Sequence, residues 1–403
     1  MSLSTKMRRG VVRKHENKND GDGRRTLGAL SPAERLVARF LPSIADAVFA
    51  CVLLGVLFGL QGKALGPDGD VGWGLRIGAS VLDHGIPRAE FMLGPTYGHP
   101  VVYWEWLSQS FYALANRAWG LNGVVALAAL LVAATSVGLF IALRRRGVAL
   151  ILALALTVAG IGLTSITWTA RAQLFSLPLT LLWSELLWRY WRTGDHRILW
   201  TLPAIMALWA NLHGGFLAGL ILLTTALAVA WLLPTRRADA NPRHLSLALV
   251  GCALATLLNP WGLGLWGHIV TYAGNPLIAR YTQEYQSPDF HTLSGLLFLG
   301  LVFATVGAWL RLAWLRSHRA VAPSSAAEGS ATEVAPARPR ERPVDVGAEP
   351  GPESAKSVST DSMALAYAHV AVWTALAFTS VRFAPLWALI ALPILGETVM
   401  AAV

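Results

Sequence analysis

The chain has 403 residues, 54% of them hydrophobic, with a mean hydropathy of +0.49 and 17 Trp residues. This composition is far more apolar than that of a soluble domain, and Trp anchors helices at membrane interfaces, so an integral membrane protein is indicated. The net charge of +10 does not indicate nucleic-acid binding, because the basic residues form short clusters between apolar segments.

The N-terminal segment, residues 1–42, is basic and too long for the charged region of a signal peptide, so we expect the first apolar run to remain as an uncleaved span. Each crossing of about 30 Å of hydrocarbon needs roughly 17–25 apolar residues. The sequence therefore predicts an all-α polytopic membrane protein with about ten transmembrane helices. The predicted spans are at about 43–61, 121–143, 148–167, 173–191, 198–212, 215–233, 244–259, 292–314, 363–381 and 384–402.

The segment between the first two spans, residues 62–120, is too polar to cross a membrane, and we expect it to form the first outer loop. Its second half predicts an amphipathic helix in the membrane interface, because apolar residues recur there at helical spacing. These residues are Trp104, Leu107, Phe111, Leu114 and Ala118.

A second polar segment, residues 318–361, is dominated by Pro, Ala, Ser, Glu and Arg without periodicity, as is typical of a disordered linker. The sequence therefore predicts a basic cytoplasmic segment 1–42, a membrane core 43–317, this cytoplasmic linker, and a C-terminal helix pair 362–403 that completes the core.

The distribution of basic residues predicts the orientation. If the N-terminus is cytoplasmic and ten spans alternate, most of the 33 Lys and Arg residues lie inside, as the positive-inside rule requires. Those outside are Lys63, Arg76, Arg88, Arg117, Arg171, Arg280 and Arg382.

An amide and an imidazole, Asn211 and His213, interrupt an otherwise apolar run. The predicted orientation places them on the same outer side as Glu284 and the acids of the first loop. Because each unpaired charge near the hydrocarbon centre costs about 2.5–3.5 kcal/mol, we expect these groups to share one outer cavity. The pair Gly214 and Gly215 favours a helix break or a close backbone approach there. A hydrogen-bonded histidine at a helix end is the alternative interpretation of His213.

Two carboxylates, Asp68 and Asp70, follow the first span. A carboxylate beside an apolar wall can act as a general base, because its pKa rises toward neutral pH. Two carboxylates can instead share a divalent cation. Ordinary turn chemistry at the preceding Pro67 is the third interpretation.

Arginines occupy two of the predicted outer boundaries. Arg171 lies between the third and fourth spans and Arg382 between the last two. A guanidinium group suits bidentate recognition of phosphate or carboxylate, while contact with lipid headgroups is the alternative for a single interfacial arginine.

The order of these segments resembles bacterial multi-spanning glycosyltransferases of the C superfamily, which take sugar from a polyprenyl-phosphate carrier. The resemblance runs from about residue 65 to 395, excluding the linker, and depends on the order of the motifs. The matching residues are Asp68, Gly69, Asp70, Trp73, Leu75, Arg76, Gly78, Gly85, Ile86, Pro87, Glu90, Phe91, Glu105, Trp106, Leu107, Arg171, Gln173, Phe175, Ser176, Trp209, Asn211, His213, Gly214, Phe216, Asn259, Pro260, Gly262, Glu284, Ser287, Pro288, Arg382, Pro385 and Leu386.

The chain departs from the family pattern at three positions. Gly74 stands where the family usually has a His, which removes a ligand or proton carrier from the first loop. Glu90 stands where Asp is commoner, and Ala172 replaces a frequent Pro.

The resemblance implies an inverting transfer of a sugar from a polyprenyl-phosphate donor to a glycan, lipid or protein acceptor, on the outer face of the bacterial inner membrane. It implies that Asp68 or Asp70 accepts the proton of the acceptor, with Glu90 as a further catalytic candidate, and no cofactor beyond a divalent cation that Asp68 and Asp70 could hold. The substrate-binding residues it implies are Arg76, Glu105, Arg171, Asn211, His213, Glu284 and Arg382.

Other functions also gather polar residues around a membrane cavity. A transporter or flippase of a lipid-linked substrate does so, often with broken helices at the midplane. A noncatalytic subunit of a cell-envelope glycan assembly complex would retain the fold, and a polysaccharide ligase or polymerase is a neighbouring enzyme class. The position of the polar set at one face, without obvious repeated halves, favours an enzyme.

Overall fold

The computed structural model describes residues 42–59, 65, 68–232, 240–321 and 360–403. Residues Ala45–Val403 form one compact unit. The predictions for the N-terminal segment 1–42 and for most of the linker 318–361 lie outside the described residues. The two ends of the predicted linker are helical, so the neighbouring helices are longer than the apolar pattern indicated.

Every regular element in the described residues is helical, which confirms the all-α prediction. The α-helices are α1 (Ile44–Phe58), α2 (Gly69–His84), α3 (Trp106–Arg145), α4 (Leu150–Thr164), α5 (Gln173–Thr193), α6 (Leu202–Leu212), α7 (Phe216–Leu232), α8 (Pro242–Ala255), α9 (Gly264–Ala273), α10 (Pro276–Tyr281), α11 (Leu293–Val321), α12 (Thr360–Thr379) and α13 (Ala384–Ala401).

Four described segments are long and apolar enough to cross a membrane: Trp106–Arg145, Leu150–Thr167, Leu293–His318 and Val381–Ala401. Shorter apolar helices are Ile44–Phe58, Phe216–Leu232, Pro242–Ala255 and Met363–Thr379. The count of about ten spans is therefore not confirmed. The helix α6 shows one reason, because its 11 residues reach only about 16 Å before the chain turns at His213.

The long helix α3 joins the helix predicted for the first loop to a segment that is long and apolar enough to cross a membrane. Its backbone leaves helical geometry at Trp119 and Gly120, where Gly120 has a φ of +59°, a conformation that glycine adopts without strain. The part before this kink confirms the predicted helix of the first loop. Phe111 and Leu114 of the predicted apolar stripe are exposed, whereas Ser108 and Ala113 are buried against the protein. Phe111 and Leu114 are thus free to face a lipid interface, whereas Trp104 of the same stripe lies before the helix and packs against the core.

The helix α13 lies in the core and fixes the segment before it. Nearly all of its side chains are buried, and it packs against α4, α5, α11 and α12. The fully buried Trp387 donates its indole N–H to the hydroxyl of Thr374 at 2.8 Å and meets the ring of Phe298 edge to face. Arg382, two residues before α13, therefore projects from a rigid base.

A cluster of buried charges lies near the C-terminal ends of α3, α5 and α13. The guanidinium of Arg146 is 2.5 Å from Glu185 and 3.5 Å from Glu397, and stands 4.5 Å from the ring centre of Trp188. Its side chain is only 3% exposed, so these carboxylates are needed to compensate its charge. The same three elements carry Glu105, Gln173 and Arg382 at or just before their N-terminal ends, which places polar groups at both ends of the bundle.

The helix α2 packs closely on the first part of α3 at Gly78. A Cβ atom added to Gly78 would lie 2.9 Å from the Cβ of Ala113 and closer still to the backbone carbonyl of Gln109. Backbone atoms cannot shift here at low energetic cost. The two helices can therefore approach this closely only because Gly78 has no side chain.

Gly78→Ala should therefore destabilise the protein by about 1–3 kcal/mol, measured as a lower thermal unfolding midpoint in one detergent. Gly72→Ala on the same helix is the matched control, since its added Cβ would meet no atom within 4 Å, and it should not lower the midpoint. Equal midpoints for the two variants would contradict this packing.

Candidate functional site

A cavity of about 400 Å³ gathers polar side chains at one end of the bundle. It is bordered by α2, by the start of α3, by the segments before α5 and α13, and by α9. Seven of the ten site residues predicted from the sequence line it: Asp70, Glu90, Glu105, Arg171, His213, Glu284 and Arg382. The structure thus brings together residues that are up to 312 positions apart in the chain.

Arg171 is the centre of an ion-pair cluster. Its Nη2 atom lies 2.8 Å from Asp68 and 2.7 Å from Asp70, and its Nη1 atom lies 3.0 Å from Glu284. Asp68 also caps α2 by accepting the backbone N–H of Asp70 at 3.0 Å. The cluster joins the start of α2 to the loops before α5 and before α11.

The carboxylates of the two aspartates in this cluster differ in their hydrogen bonds and in their exposure. Burial acts to raise the pKa of Asp68, but hydrogen bonds from Arg171 and the Asp70 backbone outweigh it and lower that pKa. Asp68 is therefore ionised and held in place at neutral pH. Asp70 has the more exposed carboxylate, 59% against 18%, and lines the cavity directly.

The same cluster occupies the position at which Asp68 and Asp70 could hold a divalent cation. The Arg171 guanidinium already occupies the space between their carboxylates, at hydrogen-bonding distance from both. Among the described residues, no three His, Cys, Asp or Glu side chains are arranged to hold a metal ion. A cation at Asp68 and Asp70 would have to displace Arg171, so these residues do not fit a resident metal.

Glu105 lies just before α3 and faces the cavity without capping that helix. Burial raises the pKa of its carboxyl to about 7; Arg382 and Arg171 act to lower it, and Asp70 acts to raise it. A carboxyl group with this pKa exchanges protons at cellular pH, as general acid–base catalysis requires.

His213 lies beside Glu105, with its Nε2 atom 3.5 Å from the carboxylate. Burial, with a further contribution from the charge of Arg382, lowers the pKa of the imidazole to about 3. The ring is therefore neutral at cellular pH, and its contact with Glu105 is a dipolar one instead of a salt bridge.

Arg382 is the second cation of the cavity, and its surroundings differ from those of Arg171. It hydrogen-bonds the hydroxyl of Tyr285, and its guanidinium carbon stands 4.9 Å from the centre of that ring. Within the described residues no carboxylate lies within 4.0 Å of it. Its charge is therefore available to an anionic ligand.

Aromatic side chains form the remaining wall. The ring of Trp104 meets His268 edge to face at 4.9 Å and Tyr272 at 5.4 Å, and the Tyr285 hydroxyl donates to that of Tyr272 at 3.2 Å. The sequence reasoning did not single out His268, Tyr272 or Tyr285. The i, i+4 spacing of His268 and Tyr272 on one helix was the signal that could have found the first two.

Glu90 lines the cavity, but its carboxylate is engaged in the first loop. One oxygen accepts the backbone N–H groups of Met92 and Leu93 at 2.7 and 3.1 Å, and the other accepts the Tyr103 hydroxyl at 3.1 Å. Burial alone would raise its pKa, but these hydrogen bonds lower it. Glu90 therefore organises the loop, and its catalytic role stays a prediction.

Asn211 and Arg76 lie outside the cavity lining. The Asn211 side chain accepts from the Trp106 indole at 2.9 Å and donates to the carbonyls of Ala207 and Leu258, both at 2.8 Å. It links α3, α6 and the end of α8. Arg76 points from the other face of α2 into a separate cavity of about 330 Å³.

No protein-family model matches the chain, and no curated protein matches it either. The chemistry of the cavity must therefore carry the functional argument.

Proposed function

We propose that the protein is an integral membrane glycosyltransferase. It moves a sugar, with inversion, from a polyprenyl-phosphate donor to an acceptor on the outer face of the bacterial inner membrane. The observation that carries this proposal is the composition of one cavity: a guanidinium free for an anion, Arg382, shares it with ionisable carboxyl groups and an aromatic wall. A phosphate, a hydroxyl proton and a sugar ring are the three features these groups suit.

The reaction follows from these groups. An acceptor oxygen attacks the anomeric carbon while the bond from that carbon to the phosphate oxygen breaks. Negative charge then grows on the departing lipid phosphate, where Arg382 stabilises it. A cavity carboxylate accepts the acceptor's proton; the resemblance assigns this role to Asp68 or Asp70, and of these two Asp70 is the one that lines the cavity.

An orphan group in the cavity also suits a polyhydroxylated substrate. The amide oxygen of Gln109, one turn after Glu105, is buried and accepts no hydrogen bond from the residues that the structure describes. A buried acceptor of this kind costs free energy unless a donor reaches it, and sugar hydroxyls are donors.

The test of this function is transfer by the purified full-length protein in liposomes. A panel of radiolabelled polyprenyl-phosphate hexoses and pentoses is added, and release of free polyprenyl phosphate is followed by chromatography. We expect cleavage of at least one donor. Movement of an intact donor across the bilayer without cleavage would favour a flippase, and binding without either event would favour a noncatalytic subunit.

The proposal includes the ten-span topology, with the N-terminus in the cytoplasm and the cavity outside. We expect Asp289→Cys, whose side chain is exposed near the cavity-lining segment, to react with a membrane-impermeant maleimide in intact cells. Arg243→Cys at the start of α8 should react only after lysis. Both are made in a background with Cys51 and Cys252 replaced by Ser. The opposite labelling pattern would overturn the orientation.

A further inference from the structure

The two ring nitrogens of His213 have different surroundings. Nδ1 accepts the backbone N–H of Gly215 at 2.9 Å and lies 2.8 Å from the hydroxyl oxygen of Ser176. Because a backbone N–H can only donate, Nδ1 must carry the lone pair, and the proton of the neutral ring is on Nε2. The imidazole therefore presents an N–H group to Glu105, 3.5 Å away.

Ser176 completes this arrangement from α5. Its oxygen accepts the indole N–H of Trp209 at 2.8 Å, which leaves the hydroxyl proton free to point at Nδ1 of His213. Trp209, Ser176 and His213 are all buried, so water does not compete for these bonds. Protonation of Nδ1 would cost the hydrogen bond from the Gly215 N–H and reverse the one with Ser176, which favours the ring with its proton on Nε2.

The glycines after His213 make this contact sterically feasible. A Cβ atom on Gly215 would lie 2.7 Å from Nδ1 of His213 and closer still to the Ser176 oxygen. A Cβ atom on Gly214 would lie 3.1 Å from the ring of Trp104 in the aromatic wall. The sequence predicted a helix break or a close backbone approach at Gly214 and Gly215. The structure has both, since α6 ends before them and their backbone lies close to neighbouring side chains.

Glu105 differs from the other open carboxylates of the cavity. Asp70 and Glu284 each contact Arg171 within 3.0 Å. Within the described residues, the nearest basic side chain to the Glu105 carboxylate is the neutral His213 imidazole, at 3.5 Å. The titratable and charged groups that face the cavity with it are Asp70, Glu90, Tyr103, Tyr112, Arg171, His213, His268, Tyr272, Glu284, Tyr285 and Arg382.

We propose that Glu105 accepts the proton of the attacking hydroxyl group, and that Ser176 and Gly215 position it by fixing the tautomer of His213. This inference rests on the proposed glycosyl transfer. The acceptor O–H bond breaks and its proton goes to a Glu105 oxygen as the acceptor oxygen bonds to the anomeric carbon. The bond from that carbon to phosphate breaks, and its electron pair goes to the phosphate oxygen. Glu105 then releases the proton to water.

Two physical arguments favour Glu105 over Asp70. The Asp70 carboxylate is already held by Arg171 at 2.7 Å, whereas no guanidinium of the described residues lies within 4.0 Å of Glu105. The N–H of a neutral imidazole orients a carboxylate without neutralising it, and the 3.5 Å separation leaves room to shorten when substrate fills the cavity.

The kinetic test uses the full-length protein in lipid nanodiscs and the donor found above. Glu105→Gln should lower kcat roughly 100- to 10,000-fold and remove the rise of activity with pH around 7. Asp70→Asn should retain that rise. Ser176→Ala should lower kcat by roughly tenfold with little change in KM, and Ser176→Thr should restore most of it. Ser184→Ala, a buried serine two turns along α5, is the matched control and should match the wild type.

A second readout does not need catalysis. The ¹⁵N NMR signals of His213, assigned by their loss in His213→Gln, should show an Nε2–H ring, and Ser176→Ala should shift the Nδ1 signal, because Nδ1 loses one of its two hydrogen-bond donors. An Nδ1–H ring in the wild type would overturn the positioning role. A Glu105→Gln enzyme with wild-type kcat and pH profile would overturn the role of Glu105 as base. If no donor is cleaved, the proposed function and the base role both fail, and NMR still decides the positioning of the imidazole.

Discussion

Arg382→Ala should lower the rate of sugar transfer from a polyprenyl-phosphate donor by roughly 100- to 1000-fold, the loss typical when one group that stabilises a developing oxyanion is removed. The physical reason is that Arg382 lines the cavity and has no carboxylate of the described residues within 4.0 Å, so it can pair with the lipid phosphate. Arg382→Lys should retain part of the rate, because it keeps the charge and loses the planar fork.

A second consequence separates Arg382 from a purely structural residue. The charge of Arg382 acts to lower the pKa of Glu105, so its removal must raise that pKa further above 7. The acid limb of the pH–rate profile should therefore move to higher pH in Arg382→Ala and stay in place in Arg382→Lys.

Arg280→Ala is the matched control for this prediction. Arg280 is exposed and stacks on the neighbouring Tyr281, with its guanidinium carbon 5.6 Å from the ring centre, so it loses a similar contact without touching the cavity. An equal loss of transfer in both variants would contradict the role of Arg382 in phosphate binding.

Much of the cavity was predictable because a membrane limits where polar groups can go. The sequence expectation of one shared outer cavity included Glu105, His213 and Glu284, which do line one cavity, and also Asn211, which does not. The cost of burying a charge in the membrane was enough to predict that the cavity-lining groups lie together. This cost depends little on how the individual helices pack.

The pairing inside the cavity was not predictable in the same way. Nothing in the spacing of Arg171 shows that it contacts three carboxylates, or that Asn211 is engaged by backbone carbonyls. Such contacts depend on how helices distant in the chain approach one another. The same holds for Arg76, which shares α2 with Asp70 but faces another cavity because it lies on the other side of the helix.

The number of spans was difficult to predict for a related reason. Hydropathy measures how apolar a segment is, but a segment such as α6 can be apolar because it is buried in protein. This helix ends at Leu212, where the polar contacts of Asn211 and His213 replace further apolar turns. Length in the structure, and not composition alone, distinguishes such a helix from a full span.

Arg171→Met should destabilise the protein more than any other single change in the cavity. Its removal leaves the carboxylates of Asp68, Asp70 and Glu284 close together without a cation, so the start of α2 and the segment that carries Glu284 would repel each other. Because Asp70 and Glu284 are partly exposed, solvent screens part of this repulsion, and we expect a loss of about 1–3 kcal/mol. The measurement is the thermal unfolding midpoint in one detergent.

The pH dependence of this loss identifies its cause. In the wild type, contacts with Arg171 help to lower the pKa of Asp68, so the stability they provide is present above the ordinary carboxyl range and is lost as pH falls through the lowered value. The difference between wild type and Arg171→Met should therefore be largest at pH 7 and shrink below pH 4, as Asp68 takes up its proton first in the variant and then in the wild type. The triple variant Asp68→Asn, Arg171→Met, Glu284→Gln should recover much of the midpoint at pH 7, because a single carboxylate remains at the cluster. A loss that is independent of pH and persists in the triple variant would mean that the side chain of Arg171 acts by packing and not by charge.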